Sequence, residues 1–341
     1  MPLLLIFSLC LLGTRAFSPL LLASSSRQQR PHFHELHLSS PASSTEEYVK
    51  LDGKNPSEEW ELDCYSRPVI VNGKKLWEVL ITDSTGSFRY LKTLPSNQVN
   101  SRELRKVVEQ VMEERADEYG VKPTTIRFFR GAMFNMINIA LSELEVVARP
   151  SRCTFSLAQW LEERHSKVYP AMEGYKSSMA TTAGPSFMDI RTPIKLPDAL
   201  RGEKYAFVSL PLAEFLPGGS IDESNIGVGR LCPINPDEFP ADAFVQGIVI
   251  LTTRAKALSS WLAGTEVVGL SADLRRRTLL METDIDTQYL MAKLNDEQRK
   301  EAAVFEEGKD VLKGLHFISV QRDEEDDPAG FWLLREIPQG I

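Results

Sequence analysis

The hydrophobic periodicity of the chain stops between Ala171 and Pro197, where Ser, Thr, Gly and Pro replace any sustained pattern. A single core does not run through such a stretch, so the residues on either side are expected to fold as separate packed units of ordinary domain size. This gives an N-terminal α+β domain over residues 45–170, a linker over 171–197 and a C-terminal α+β domain over 198–341. The charge changes at the same place: residues 60–170 hold 16 basic against 14 acidic side chains, and residues 171–341 hold 18 against 27. With 43% apolar and 25% charged residues, disorder throughout is excluded. The formal charge of -8 speaks against a general nucleic-acid binder but leaves room for a local basic surface.

Trp60–Leu62, Lys75–Thr82 and Phe88–Leu91 read as a meander of short strands, punctuated by Asn72-Gly73 and Thr85-Gly86. Asn100 or Ser101 caps a helix in which Leu104, Val107, Val108, Val111 and Met112 recur at helical spacing until Gly120. A strand at Thr125–Phe129, a helix through Met133–Leu144, a strand at Val146–Ala148 and a helix at Ser156–Arg164 follow. Three strands, helix, strand, helix, strand is an order shared with ribonuclease-H-like folds. The second half reads as a mixed sheet with helices at Lys256–Leu262 and Asp296–Leu312. Its stretch from Pro217 to Pro240 is a long loop, and Asp323–Asp327 a solvated hairpin tip.

Residues 1–16 have the apolar run and small-residue end of a signal peptide, too short for a span that needs about 20 apolar residues. Residues 17–44, beginning at Phe17 and rich in Ser and Arg, read as a transit segment. The two together match the two-part leader of algae whose plastid lies inside extra membranes, which directs the chain to the stroma. On the leader alone, a secreted protein with a Ser-rich start is the alternative. Beyond it only Cys64, Cys153 and Cys232 remain, an odd and widely spaced set that suits a reducing compartment.

Tests for catalysis return little. There is no C-x-x-C, no G-x-S-x-G and no Walker A sequence, so no metal or cofactor is expected. Asp284-Ile285-Asp286-Thr287 is taken as alternating polar residues on a strand. The best enzyme case is Asp63, Glu78 and Asp83, on or beside adjacent strands, where magnesium would serve a nuclease. Alternation gives the ordinary reading: Trp77, Val79 and Ile81 on one face and Glu78 on the other. Arg127-Phe128-Phe129-Arg130 combines aromatics with guanidinium groups, a pairing that stacks bases and neutralises phosphate; Lys74, Lys75 and Trp77 offer the same mixture. Lys204-Tyr205-Ala206-Phe207-Val208 partly echoes an RNA-binding strand and is more often core.

Taken together, Trp60-Glu61-Leu62-Asp63, Ser66-Arg67-Pro68, Arg127 to Arg130, Gly202-Glu203-Lys204, Arg254-Ala255-Lys256 with Trp261, Gly314 to Phe317 and Phe331-Trp332-Leu333-Leu334 resemble the Tab-two-like family. These are plastid and cyanobacterial proteins described as RNA-binding activators of photosystem I reaction-centre mRNA translation. The chain departs from the family pattern at Gln246-Gly247 and Thr253. The resemblance implies a non-enzymatic stromal factor that binds the 5′ untranslated region of a plastid mRNA. Its partners would be the translation machinery or other RNA-binding factors, and it allows thylakoid association without a transmembrane span. Arg127, Phe129 and Arg130, then Arg254 and Lys256, are the expected RNA contacts. Trp332 either completes a sheet or meets a partner protein. A photosystem assembly scaffold and a magnesium-dependent nuclease are the alternatives.

Overall fold

A computed structural model describes residues 45–51, 54–180 and 192–336. The leader and part of the linker, 181–191, lie outside the described residues. The first half runs β1 (Glu46–Lys50), β2 (Glu59–Val71), β3 (Lys74–Asp83), β4 (Phe88–Leu94), α1 (Ser101–Tyr119), β5 (Thr125–Phe128), α2 (Phe134–Ser142), β6 (Val147–Pro150) and α3 (Phe155–Glu163). Its six strands lie in the order β1-β4-β3-β2-β5-β6. Strands β2, β3 and β4 form the antiparallel meander, while β5 and β6 extend it in parallel from β2.

Local chemistry sets these elements. Asn72 and Gly73 both take positive φ, 49° and 76°, which a two-residue hairpin turn requires and which other residues resist. Helix α1 starts where Asn100 accepts from the Glu103 N–H at 3.0 Å and ends at Gly120 in the left-handed region. Leu104, Val107, Val108 and Val111 bury one face of α1 on Trp60, Leu62, Cys64, Val79 and Ile81. Each such side chain contributes roughly 1.5–3 kcal/mol. The opposite sheet face presents Leu80 and Leu91 to Leu157, Trp160 and Leu161 of α3. The alternation along β3 separates two cores, so the strand is buried on both faces where its sequence reads as an ordinary half-buried strand.

The second half holds β7 (Ile194–Lys195), β8 (Lys204–Pro211), β9 (Gly229–Leu231), β10 (Phe244–Leu251), α4 (Ala255–Thr265), β11 (Val267–Asp273), β12 (Thr278–Thr283), β13 (Thr287–Lys293), α5 (Asp296–Val311), β14 (Leu315–Gln321) and β15 (Gly330–Arg335). The single mixed sheet expected here is two sheets, β8-β10-β14-β15-β9 and β11-β12-β13-β7, around one continuous core. The second of these is an open meander of β11, β12 and β13, joined by tight turns in which Arg277 and Asp284 take φ of 54° and 53°, with β7 added in parallel to β13. Asp284-Ile285-Asp286 is therefore a turn and not a strand interior. The long loop contains β9, which pairs in parallel with β15. The run Asp323–Asp327 is the exposed tip between β14 and β15.

On β10, an interior strand of the five-stranded sheet, Gly247 pairs with both Val208 and Phe317, and a Cβ there would meet the Phe317 ring at 2.4 Å. The ring occupies the space a side chain would need, so Gly247→Val is expected to cost about 1–3 kcal/mol by overpacking. Urea unfolding measures it, and an unchanged midpoint would refute the packing argument.

Candidate functional site

The largest concentration of chemistry in the first half is dry. A register shift between Ser66 and Ile70 breaks the β2–β3 ladder and turns Arg67 inward, as bulges do. Arg67 Nη1 donates to Asp63 Oδ2 at 2.9 Å and its Nε to Glu78 Oε2 at 3.0 Å. Arg130 Nε reaches Asp63 Oδ1 at 3.0 Å, and Arg164 Nη2, from the π-helical turn after α3, reaches Glu78 Oε1 at 2.6 Å. Tyr169 donates its hydroxyl to Glu78 Oε2 at 2.6 Å. The Arg130 guanidinium also stacks over Tyr65 and Phe129 at 4.4 and 4.7 Å. All three arginines and both carboxylates are buried. Burial alone would raise the Asp63 carboxyl, but Arg130 and Arg67 more than reverse this and hold it below its ordinary range.

This arrangement engages the carboxylates needed for nuclease chemistry. Both Asp63 oxygens accept from guanidinium groups, and Arg67 stands between Asp63 and Glu78. Asp83 lies apart, accepting from the Ser57 and Ser87 N–H groups and the Thr85 hydroxyl around a turn. A divalent cation would have to displace arginine. Among the described residues no group of three or more His, Cys, Asp and Glu side chains is placed to hold a metal ion.

The residues singled out in the sequence divide by burial. Arg127 is 6% exposed on β5, its Nε and Nη2 on Glu266 Oε1 at 2.8 and 2.6 Å and its Nη1 2.9 Å from Glu59 Oε2. Phe129 packs with Leu80, Leu91 and α3, and Arg130 belongs to the buried network. None of the three lies at the surface. Phe207 of β8 packs its ring on Phe305, and Trp332 is 4% exposed within the second core. Arg254 and Lys256 stand exposed at the start of α4. Lys74 and Lys75 are exposed beside the β2–β3 turn, whereas Trp77 is half-buried against the first core.

Between the halves lies a cleft of about 850 Å³, with Lys54, Glu59, Arg127, Arg230 and Glu266 among its walls. Arg127 binds the halves through Glu266, and Arg152 through Glu282 at 2.5 Å. Behind Arg230 sits Glu61, fully buried, accepting from the Leu157 N–H at 2.7 Å and 3.3 Å from Arg230 Nη2. Burial pushes the Glu61 carboxyl up to about 7, against the opposing pull of Arg230 and the Leu157 N–H. Sequence reasoning missed the cleft because its charges are far apart in the chain: 139 positions separate Arg127 from Glu266. The only local signal was a charged residue on an otherwise apolar strand.

Two expectations follow from burial. Arg67→Met leaves two buried carboxylates short of a shared cation and should cost about 3–5 kcal/mol, read as a lowered urea midpoint. Glu61 is protonated more readily folded than unfolded, so its stabilising contribution is complete below its unfolded pKa of 4.5 and is lost as pH rises through about 7. The unfolded chain's histidines act in the opposite sense, because burial depresses His165 to about 4 and His316 to about 3 in the fold. Comparison with Glu61→Gln removes them: between about pH 5.5 and 8.5 the native chain should lose roughly 1–3 kcal/mol relative to the variant. Parallel profiles would contradict it.

Residues 59–164 match the family described as "RNA-binding protein Tab2/Atab2 N terminal", and residues 183–335 match "RNA-binding protein Tab2/Atab2, C-terminal domain". The "Protein TAB2 homolog, chloroplastic" of Arabidopsis thaliana is 34% identical over 313 residues, covering 86% of this chain and 79% of that protein. The protein of the same name from Zea mays is 34% identical over 287 residues, covering 82% and 72%. A chain from a solved simian T-cell lymphotropic virus intasome complex, with 11% identity, covers 47% of this chain and 64% of its own; its TM-score of 0.26 carries no argument. With both family domains matched in order and a third of the aligned positions identical to two plant proteins, the chain belongs to the Tab2-like family.

Proposed function

We propose that the protein is a plastid RNA-binding factor that recognises the 5′ untranslated region of a plastid mRNA and activates translation of photosystem I reaction-centre subunits. The observation that carries this reading is that both halves match domains described as RNA-binding. The chloroplastic naming of the plant relatives and the two-part leader support a stromal location. The translation machinery or other RNA-binding factors are the proposed partners. Thylakoid association would be peripheral; among the described residues no helix is long and apolar enough to cross a membrane.

Exposed cations are the proposed phosphate contacts: Arg254 and Lys256 at α4, Arg275 in the β11–β12 turn, and Lys74 and Lys75 beside the β2–β3 turn. A few such contacts suffice for single-stranded RNA within an acidic total. Arg127, Phe129 and Arg130 then serve RNA indirectly, by holding the sheet and the junction that carry those cations. The assembly-scaffold reading has one observation in its favour: Val304 and Val311 lie seven residues apart on α5, exposed by 60% and 71%.

The test is binding of the mature protein to labelled plastid 5′ leader RNAs across salt concentrations, with RNA integrity followed with and without magnesium. The logarithm of the affinity should fall linearly with log salt, and Arg254→Glu with Lys256→Glu should flatten the slope by about 0.7 per lost phosphate contact. Protein partners without RNA binding would favour the scaffold. Magnesium-dependent cleavage lost in Asp63→Asn would favour the nuclease.

A further inference from the structure

The open end of the first sheet carries rings and cations that the packing of the fold leaves in contact with water. Farther along β3, Val79 and Ile81 are sealed beneath α1, whereas Leu76 and Trp77, nearer the turn, are half-buried and Lys74 and Lys75 are exposed. Residues 174–176 lie against β2 at this end. The Ile70 N–H donates to the Gly174 carbonyl at 2.9 Å, the Lys176 N–H donates to the Pro68 carbonyl at 2.8 Å, and Val69 and Tyr175 form an antiparallel bridge between them. Only glycine allows this approach, because Gly174 has φ of 86° and a Cβ there would stand 2.1 Å from the Ile70 carbonyl oxygen. Lys75 pairs with Ile70 and precedes Trp77 by two positions, so the three share a face of the sheet. The register that joins Val69 to Tyr175 sets Lys176 opposite Pro68, two positions from Ile70 and hence on that face as well.

Trp77 is steadied by a second ring. Tyr65, itself half-buried, lies 6.1 Å from the Trp77 ring at 70° to it, and the Arg130 guanidinium sits over Tyr65 at 4.4 Å. Asp63 fixes Arg130 in turn, so the aromatic pair rests on the buried ion network and has little freedom to lose on meeting a ligand. Beside the pair, Lys74, Lys75 and Lys176 form no ion pair among the described residues, and Glu173 is the exposed carboxylate of the adjoining segment. An inorganic anion or an acidic peptide would use the lysines and leave the rings idle. An apolar protein surface would cover the rings and bury unpaired cations. A nucleic-acid duplex hides the faces of its bases, whereas a single strand offers base faces and phosphates together. We infer that this hairpin end of the first sheet is a base-stacking surface for single-stranded RNA, where Trp77 takes the face of one unpaired base and Lys75 and Lys176 take the phosphates flanking it. The inference rests on the RNA-binding reading and adds a base contact to its phosphate contacts.

The experiment titrates the mature protein with a single-stranded oligouridylate and with an RNA duplex of the same length, following tryptophan emission and affinity at several salt concentrations. Trp60, Trp160 and Trp332 are buried, so a stacking base is expected to quench Trp77, and the duplex to leave the emission unchanged. Trp77→Phe keeps a ring and should remove the quench while holding affinity within about threefold. Trp77→Leu should weaken the single strand about fivefold or more with the salt slope unaltered, because a base contact releases no counterion. Lys75→Glu with Lys176→Glu should instead flatten the slope by about 0.7 for each lost contact. A thermal melt checks that Trp77→Leu is folded; if it is not, the quench in Trp77→Phe and the slope in the lysine variant decide. Binding without a quench, a quench that survives in Trp77→Phe, or an equal quench by the duplex would overturn the inference. If affinity still fell with salt in that event, the RNA-binding reading would stand alone. An equal quench by polyglutamate would assign the surface to an acidic protein and overturn it as well. No RNA binding at any salt concentration would remove both readings.

Discussion

Arg67 sits between two carboxylates on neighbouring strands, out of reach of water, and the first half is arranged around the need to satisfy it. The desolvation of such a group is repaid only by good geometry and further hydrogen bonds. Here the bulge in β2 aims the guanidinium, Arg130 comes from the segment after β5, and Arg164 and Tyr169 come from the turns after α3. Four separate pieces of chain must therefore arrive in register. An apolar cluster of equal volume would hold the layers together but would tolerate sliding; the ion network does not.

The same residue type solves a second problem at the junction. Arg127 and Arg149, from adjacent strands β5 and β6, converge on Glu266 at the end of α4, while Arg230 crosses back to Glu61. Cys153 and Phe155, at the start of α3, belong to the second core although the first sheet carries their helix. The halves thus share side chains as well as a boundary. The arginines most prominent in the sequence are committed to architecture, and the cations in contact with water are scattered.

Much of the local structure was legible because it depends on neighbours in sequence. Asn72-Gly73 announces a hairpin, Asn100 and Gly120 delimit α1, and the alternation through Val79 and Ile81 assigns the faces of β3. What was not legible depends on partners far away. Arg127-Phe128-Phe129-Arg130 has the composition of an RNA grip, but its outcome is decided by Glu266, Glu59 and Asp63. The pairing of β9 was invisible for the same reason, because three residues in a glycine-punctuated loop become a strand only when β15 offers its edge. The Asp284 turn was misread because two aspartates spaced by isoleucine also fit a strand; the backbone's left-handed step has no signature in spacing.

The order of strands in the five-stranded sheet also bears on how the chain comes to be folded. Strand β9 has β15 as its neighbour, and β15 in turn pairs with β14, so residues 229–231 wait for a segment far downstream. Such non-local pairing slows folding. A polypeptide delivered from its N-terminus through a narrow pore would complete its first sheet early, with Arg127 and Arg149 presented to an unfinished neighbour. The second sheet would close as a unit once β15 had emerged, so the cleft would be among the last features formed during vectorial delivery.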